Sequence, residues 1–170
     1  LRNEGSLLPL SKTQKKVAVI GPLADSMTAT EGSWMVFGHQ PAAVTVLEGI
    51  RNKLPEAEIV YAPGPEIRRD IPHPFGEFDT IARKPVQTPE EAEAAFQTAV
   101  KAAQEADVVI AVMGETQDMA GEFASRGSLD LPGRQEELLK AVDALGKPIV
   151  LVLLGGRPLS INWAAEHVPA

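Results

Sequence analysis

Four short apolar segments along the chain predict four β-strands. Residues 108–113 and 149–154 are continuous runs rich in β-branched or aliphatic side chains, each beside a glycine or a proline. Residues 16–20 form a third segment of this kind, and residues 58–61 form a shorter fourth. Runs without polar alternation are typical of strands that are covered on both faces, as in a parallel sheet.

Helical patterns separate the predicted strands. Apolar residues recur at helical spacing within residues 46–54, and Thr45 is a suitable N-cap for that helix. Residues 88–91, Thr-Pro-Glu-Glu, combine a capping hydroxyl, a proline at the first helical position and acids in the first turn. They predict one long helix over residues 90–106.

The order of these segments predicts a single α/β domain over residues 1–170. A further helix is expected to open within residues 132–139 and to end at Gly146, a residue type favoured just after a helix. Alternating strands and helices form an open, mainly parallel sheet with helices on both faces, a flavodoxin-like α/β sandwich. Residues 63–87 are rich in proline and show no sustained period, so we expect a long surface excursion there.

Composition removes several classes of function. The 170 residues carry a formal charge of −7 and their basic residues are scattered, so nucleic acid is not an expected partner. There is no cysteine, and the three histidines share no ligand spacing, so neither a metal nor a cofactor is expected. The longest apolar run is too short to cross a bilayer, and no membrane association is predicted.

The loops after the predicted strands are the places to look for a site, because ligands bind beyond the carboxyl ends of parallel strands. The loop after residue 20 starts with Gly21 and Pro22 and has no Gly-x-Gly-x-x-Gly pattern, which argues against a nucleotide binder. Trp34 and Phe37 lie further along the same segment, among glycines. Their rings are candidates for stacking on sugars, with core packing as the alternative.

The loop after residues 108–113 contains the most distinctive polar residues. Glu115, Asp118 and Glu122 lie in a glycine-flanked segment. A carboxyl group there can act as a proton donor if an apolar pocket or a second carboxylate raises its pKa. The alternatives are that these acids are solvated or bond local amides and arginines, and that Arg126 pairs with Glu122 or Asp130 to hold the loop.

Several motifs, spread over nearly the whole chain, occur together in a specific order. They are Asn-Glu-Gly-Ser-Leu-Leu-Pro-Leu at 3–10, Val-Ala-Val-Ile-Gly-Pro-Leu-Ala-Asp at 17–25, Gly-Ser-Trp at 32–34, Gly-Glu at 114–115 with Glu-x-x-Ser-Arg at 122–126, Leu-x-Leu-Pro-Gly-x-Gln at 129–135, and Gly-Lys-Pro at 146–148 through Gly-Arg-Pro-Leu at 156–159. In this combination the chain resembles the second domain of glycoside hydrolase family 3, and in particular its bacterial periplasmic β-glucosidase-like branch.

The resemblance implies an enzyme that removes β-linked sugars, usually glucose, from non-reducing ends with retention of configuration. In such enzymes an aspartate on a preceding (β/α)₈ barrel is the nucleophile, and a glutamate of the second domain commonly supplies the acid/base. The match to the family's Glu-x-x-(Ser/Asp)-Arg segment assigns that role to Glu122 rather than Glu115. Trp34, Phe37 and Arg126 are then the expected substrate-binding residues.

The resemblance also predicts the molecular context of the chain. The expected partners are an N-terminal (β/α)₈ barrel of the same protein, which is absent here, and a β-linked oligosaccharide or glycoside. We expect a periplasmic or secreted protein, a domain truncated at its C-terminus, and no activity for the fragment alone. The alternative function is a non-catalytic ligand-binding or assembly module. Which sugar and linkage are cleaved stays open.

Overall fold

Four parallel strands and five helices make up the regular structure in the computed structural model, which describes residues 2–32, 43–69, 86–122 and 124–170. The strands are β1 (Lys16–Ile20), β2 (Glu58–Ala62), β3 (Val108–Gly114) and β4 (Ile149–Leu154). The helices are α1 (Thr28–Glu31), α2 (Val46–Lys53), α3 (Pro89–Gln104), α4 (Gln135–Asp143) and α5 (Asn162–His167). The strands form one sheet in the order β2-β1-β3-β4.

Both faces of the sheet are covered, as the continuous apolar runs predict. In β1, Val17 and Val19 belong to one buried cluster, and Ala18 and Ile20 belong to the other. All seven residues of β3 are buried, and the first six, Val108 to Met113, alternate between the same two clusters. Two-sided burial removes the polar alternation that a half-exposed strand would need.

Helices lie on both faces, which confirms the predicted α/β sandwich. Phe96 of α3 and Leu138 of α4 pack in the cluster that contains the Ala18 side of β1. Leu47 of α2 is buried in the opposite cluster with Val17. Helices on both faces are the arrangement that right-handed crossovers between parallel strands produce.

The predicted helix ends are also observed. The Thr45 hydroxyl accepts a hydrogen bond from the Glu48 amide at the start of α2. Thr88 and Glu91 form a complete capping box at the start of α3, with bonds of 2.8 and 3.2 Å. Gly146 follows α4 with a positive φ of 67°. These local signals depend on backbone geometry within one turn, so they can be recognised in sequence.

The sheet order places a topological switch between β1 and β3. The chain adds β2 on one side of β1 and then crosses to add β3 on the other, so the loops after β1 and β3 diverge from a shared crevice. The backbone is close-packed there. A Cβ atom at Gly21 would lie 2.1 Å from the Val112 carbonyl oxygen, and one at Gly114 would lie 1.7 Å from that of Leu154.

The predicted surface excursion is described only in part. Residues 63–69 contain neither helix nor strand, as expected, but they do not all lie on the surface, because Ile67 is buried in the same cluster as Val17. Residues 70–85 lie outside the described part of the chain. Trp34 and Phe37 fall in residues 33–42, which are also outside it.

Candidate functional site

The loop that follows β3 starts from a tightly held backbone position. The side-chain amide of Gln135 accepts a hydrogen bond from the Gly114 amide and donates one to the Gly114 carbonyl, both at 2.8 Å. The same amide nitrogen also donates to the Pro132 carbonyl at 2.9 Å. Gln135 is only 2% exposed, so these bonds satisfy a buried polar group and fix the point where β3 ends.

Glu115, the next residue, is not a solvated loop acid. Its side chain is fully buried, and its two carboxylate oxygens accept hydrogen bonds from two different arginines. Arg126 Nη1 lies 2.6 Å from Oε1, and Arg157 Nε lies 3.1 Å from Oε2. A buried carboxylate is costly unless it is paired and hydrogen-bonded, and here both oxygens are.

Arg157 connects the loop after β4 to the loop after β3. Besides its bond to Glu115, its Nη2 atom donates to the carbonyl oxygens of Met119 and Ala124, the latter at 2.8 Å. Those carbonyls lie on either side of Glu122 in the chain. One guanidinium group therefore holds both ends of the segment that contains Glu122.

Arg126 holds the returning part of the same loop. Its Nη2 donates to the Asp130 carbonyl at 2.9 Å while its Nη1 binds Glu115. The sequence predicted Glu122 or Asp130 as its partners. The structure bears out Asp130, through its backbone, and gives Glu115 in place of Glu122, because Glu115 points inward at the start of the loop.

Glu122 has the opposite environment to Glu115. It is exposed, and it follows Gly121, whose φ of 98° allows a sharp turn that other residues rarely adopt. Met119 and Ala124, which flank it, are buried at 1% and 3% exposure. The loop thus presents one carboxylate at its tip on a base that is packed and hydrogen-bonded.

A cavity of about 310 Å³ lies beside this loop. Its lining combines cationic, hydroxyl and apolar side chains: Arg68, Arg69, Met119, Ser125, Arg126, Gly127, Ser128 and Pro132. Arg126 therefore reaches both the buried carboxylate and the cavity wall. In the part of the chain that the structure describes, no group of acids and histidines could hold a metal ion.

The loop after β1 meets the loop after β3 at its outer edge. The side-chain amide of Gln117 donates to the Gly32 carbonyl at 2.5 Å. At its inner end, Asp25 accepts a hydrogen bond from the buried Thr45 hydroxyl at 3.0 Å. Gly32 is the last described residue before the segment that contains Trp34.

The whole chain matches one family. The model of the glycosyl hydrolase family 3 C-terminal domain covers residues 1–170. The chain belongs to this family. Its fold and the position of its loops are therefore those of a domain found in β-glucosidase- and β-xylosidase-like enzymes, as the sequence motifs indicate.

Named relatives of this family 3 domain are glycosidases. The periplasmic beta-glucosidase of Salmonella typhimurium is 43% identical over 163 residues, which is 95% of this chain and 21% of the relative. A beta-xylosidase of Formosa agariphila is 35% identical over 176 residues, 100% of this chain and 21% of the relative. The chain thus spans about a fifth of the length of these relatives.

Solved structures of family 3 enzymes have the same fold. A beta-glucosidase from Listeria innocua, in complex with glucose, superimposes with a TM-score of 0.75 at 31% identity. The match covers 99% of this chain and 20% of that one. Among the described residues, no helix has the length and apolar character to cross a membrane.

Two functional features of this family 3 domain escaped the sequence analysis. Arg157 and Gln135 were both part of recognised motifs, and Gln135 also of a predicted helix start, but no contact was assigned to either side chain. Their partners lie 42 and 21 residues away in the chain. No local pattern in the sequence reports such contacts.

Proposed function

We propose that this chain supplies the acid/base carboxyl group and part of the sugar-binding cleft to a retaining, exo-acting β-glycosidase, of the β-glucosidase type. The observation that carries the proposal is the exposed position of Glu122 on a loop that Arg157 binds on both sides of it, at the switch point of a family 3 domain. A proton donor must be accessible to the leaving group, and it must be held in place.

Glu122 has the chemistry that the first step of such a reaction requires. In its protonated form it donates a proton to the glycosidic oxygen as the bond to the sugar breaks. In the second step, as a carboxylate, it takes a proton from the water that attacks the glycosyl intermediate. Glu115 is unsuited to this role because its side chain is fully buried and bound to two arginines.

The nucleophile belongs to another part of the protein in this proposal. A (β/α)₈ barrel, N-terminal to this chain, supplies an aspartate, and docking brings its carboxyl group to about 5 Å from that of Glu122, the spacing of retaining enzymes. The exposure of Glu122 in the chain by itself supports this, since a second surface has to complete the cleft. The chain alone is then inactive.

Trp34, Phe37 and Arg126 contribute to substrate binding in the same proposal. Aromatic faces at residues 34 and 37 stack on the apolar surface of a sugar ring. The hydrogen bond between Gln117 and Gly32 supports this proposal, because Gly32 precedes Trp34 by two residues in the chain and is bonded to the loop after β3. Arg126 lines the cavity beside that loop, and the part of its side chain that faces the cavity contacts sugar hydroxyls in this proposal.

The relatives support a proposal for the substrate and the location of the enzyme. We propose a β-linked glucoside or oligosaccharide as substrate and a periplasmic or secreted location, supported by the 43% identity to a periplasmic beta-glucosidase. The first measurement is hydrolysis of aryl β-glucosides and aryl β-xylosides by the full-length protein, with the isolated chain as a control.

The decisive variant is Glu122→Ala in the full-length protein, assayed on substrates whose leaving groups differ in pKa. We expect kcat/KM to fall by about 100-fold or more for poor leaving groups and far less for activated aryl glycosides, since the latter need little protonation. Azide should restore turnover of the activated substrates, because it attacks the intermediate without a general base.

A matched control is Glu56→Ala. Glu56 is an exposed acid just before β2, at the amino end of the strands, and its loss should leave kinetics unchanged. An equal loss of activity in Glu122→Ala for all leaving groups, without azide rescue, would contradict the acid/base role. No hydrolysis of any glycoside by the wild-type protein would favour a binding module instead.

A further inference from the structure

Among the residues that the structure describes, Glu115 is the only charged residue that is buried. Its carboxylate binds two arginines, one from the end of the same loop and one from the loop after β4. Buried ion pairs often add little net stability, because the cost of removing both charges from water offsets their attraction. The arrangement of the partners therefore calls for a reason other than stability.

The hydrogen bonds of Arg157 to the backbone indicate what this arrangement does. It donates to the carbonyls of Met119 and Ala124, which bracket the turn that presents Glu122. Glu115 in turn fixes the Arg157 guanidinium by accepting from its Nε. The planar group has donors in a fixed fork, so holding one edge of it sets the direction of the others.

We infer that Arg157 and Glu115 are positioning residues for Glu122, an inference that rests on the proposed acid/base role of Glu122. Arg157 does not touch the reacting atoms. It holds the backbone on both sides of Glu122, and Glu115 orients and neutralises it. A displacement of about 1 Å in a reacting group can cost about 100-fold in rate, so the length and direction of these bonds bear on catalysis.

The test uses two substitutions at Arg157 in the full-length enzyme. Arg157→Met keeps the apolar stem and removes every donor, while Arg157→Lys keeps the charge beside Glu115 but replaces the fork by a single nitrogen. The readout is the slope of log kcat/KM against the pKa of the leaving group, measured on the sugar that the wild-type enzyme hydrolyses. Thermal unfolding of each variant reports whether it is folded.

We expect both variants to steepen that slope. In Arg157→Met, kcat/KM should fall about 10- to 100-fold for poor leaving groups and at most about threefold for a dinitrophenyl glycoside, which needs no proton. Arg157→Lys should show the same pattern more weakly. If Arg157→Met does not fold, the slope of Arg157→Lys decides the question alone.

The control is Arg134, an arginine whose ion pairs with Glu93 and Glu137 lie on an exposed face of α3 and α4. Arg134→Met and Arg134→Lys should keep the wild-type slope. A wild-type slope in the folded Arg157 variants, or an equal loss for all leaving groups, would overturn the inference. If Glu122→Ala itself kept the wild-type slope, the proposed function would fail, whatever the Arg157 variants do.

Discussion

The side chain of Gln135 pairs with both backbone groups of Gly114, at 2.8 Å each, and so takes the place of a neighbouring strand at the end of β3. Gln135 is the first residue of α4, and Gly114 is the last of β3. The contact therefore joins the start of a helix to the point where the Glu122 loop leaves the sheet. Gln135 also donates a hydrogen bond to the Pro132 carbonyl within the Pro-Gly-x-Gln motif, and this bond helps to hold the glutamine in position.

The loss of this contact should destabilise the domain. In Gln135→Leu the apolar side chain is close in size, but the buried Gly114 amide loses its partner, which costs about 1–3 kcal/mol. We expect faster hydrogen exchange across residues 112–116 in the full-length protein, measured by mass spectrometry. Gln97→Leu is the control, since Gln97 is exposed on α3 and binds only the Glu93 side chain through its amide nitrogen. Unchanged exchange in Gln135→Leu would show that water replaces the glutamine.

Gly114 should not tolerate a side chain. In Gly114→Ala the new Cβ would lie 1.7 Å from the Leu154 carbonyl oxygen at a φ of 136°, so β3 and β4 would have to separate. We expect a loss of more than about 3 kcal/mol, in the upper range for point substitutions, with reduced soluble yield and a lower midpoint of thermal unfolding. Gly127→Ala, with open space around its Cβ, should behave like the wild type. Wild-type stability of Gly114→Ala would mean that the strand ends can move apart freely.

The capping box of α3 should stabilise the start of that helix. Thr88→Ala removes the hydroxyl that accepts the Glu91 amide, a loss of about 1 kcal/mol. Hydrogen exchange in the first turns of α3 should then be about fivefold faster if it follows local opening. Thr98→Ala, in the exposed middle of the same helix, should be neutral or slightly stabilising because alanine is the better helix former. Equal effects of the two substitutions would argue against a capping role.

The surface ion pair between Arg134 and Glu137 should stabilise the fold at neutral pH and lose this effect in acid, where Glu137 is protonated. Hydrogen bonds from Arg134 lower the pKa of Glu137 below its ordinary value of 4.5. A carboxyl group with a lowered folded pKa stabilises the fold above the unfolded pKa, and this contribution is lost as pH falls through the folded value.

Glu137→Gln should therefore lower the unfolding midpoint slightly at neutral pH and make no difference at a pH well below 4.5. The measurement is thermal unfolding of the full-length protein across this range in low salt, where exposed charges are screened least. Glu56→Gln, which changes the same charge at an exposed site before β2, is the control. A difference between Glu137→Gln and the wild type that persists at low pH would mean that packing, not charge, is responsible.

Much of the fold could be predicted because its signals are local. The predicted bounds of residues 16–20 and 149–154 coincide with β1 and β4, and the second and third strands are each one residue longer than predicted. Continuous apolar runs and capping residues act within a few positions of the chain, so neighbouring residues are enough to identify them.

The start of α4 lies within the predicted residues, but it has no local cap. The helix was expected to open within residues 132–139 and begins at Gln135, and its N-cap, Arg134, makes no capping bond through its side chain. Pro132 and Gln135 are instead engaged with each other and with β3. The bond to Gly114 is long-range, and nothing in the adjacent residues reports it.

The sequence by itself determined the α/β class, the N-caps of α2 and α3 and the family, because periodicity, caps and ordered motifs depend on residues that are near one another in the chain. Only the tertiary structure decided which of the two loop glutamates is buried and which is exposed. That outcome depends on Arg126 and Arg157, which lie 11 and 42 residues from Glu115 in the chain and meet it where the loops after β3 and β4 converge. A carboxylate is buried only where cations compensate its lost hydration, and the parallel sheet places those cations at one edge.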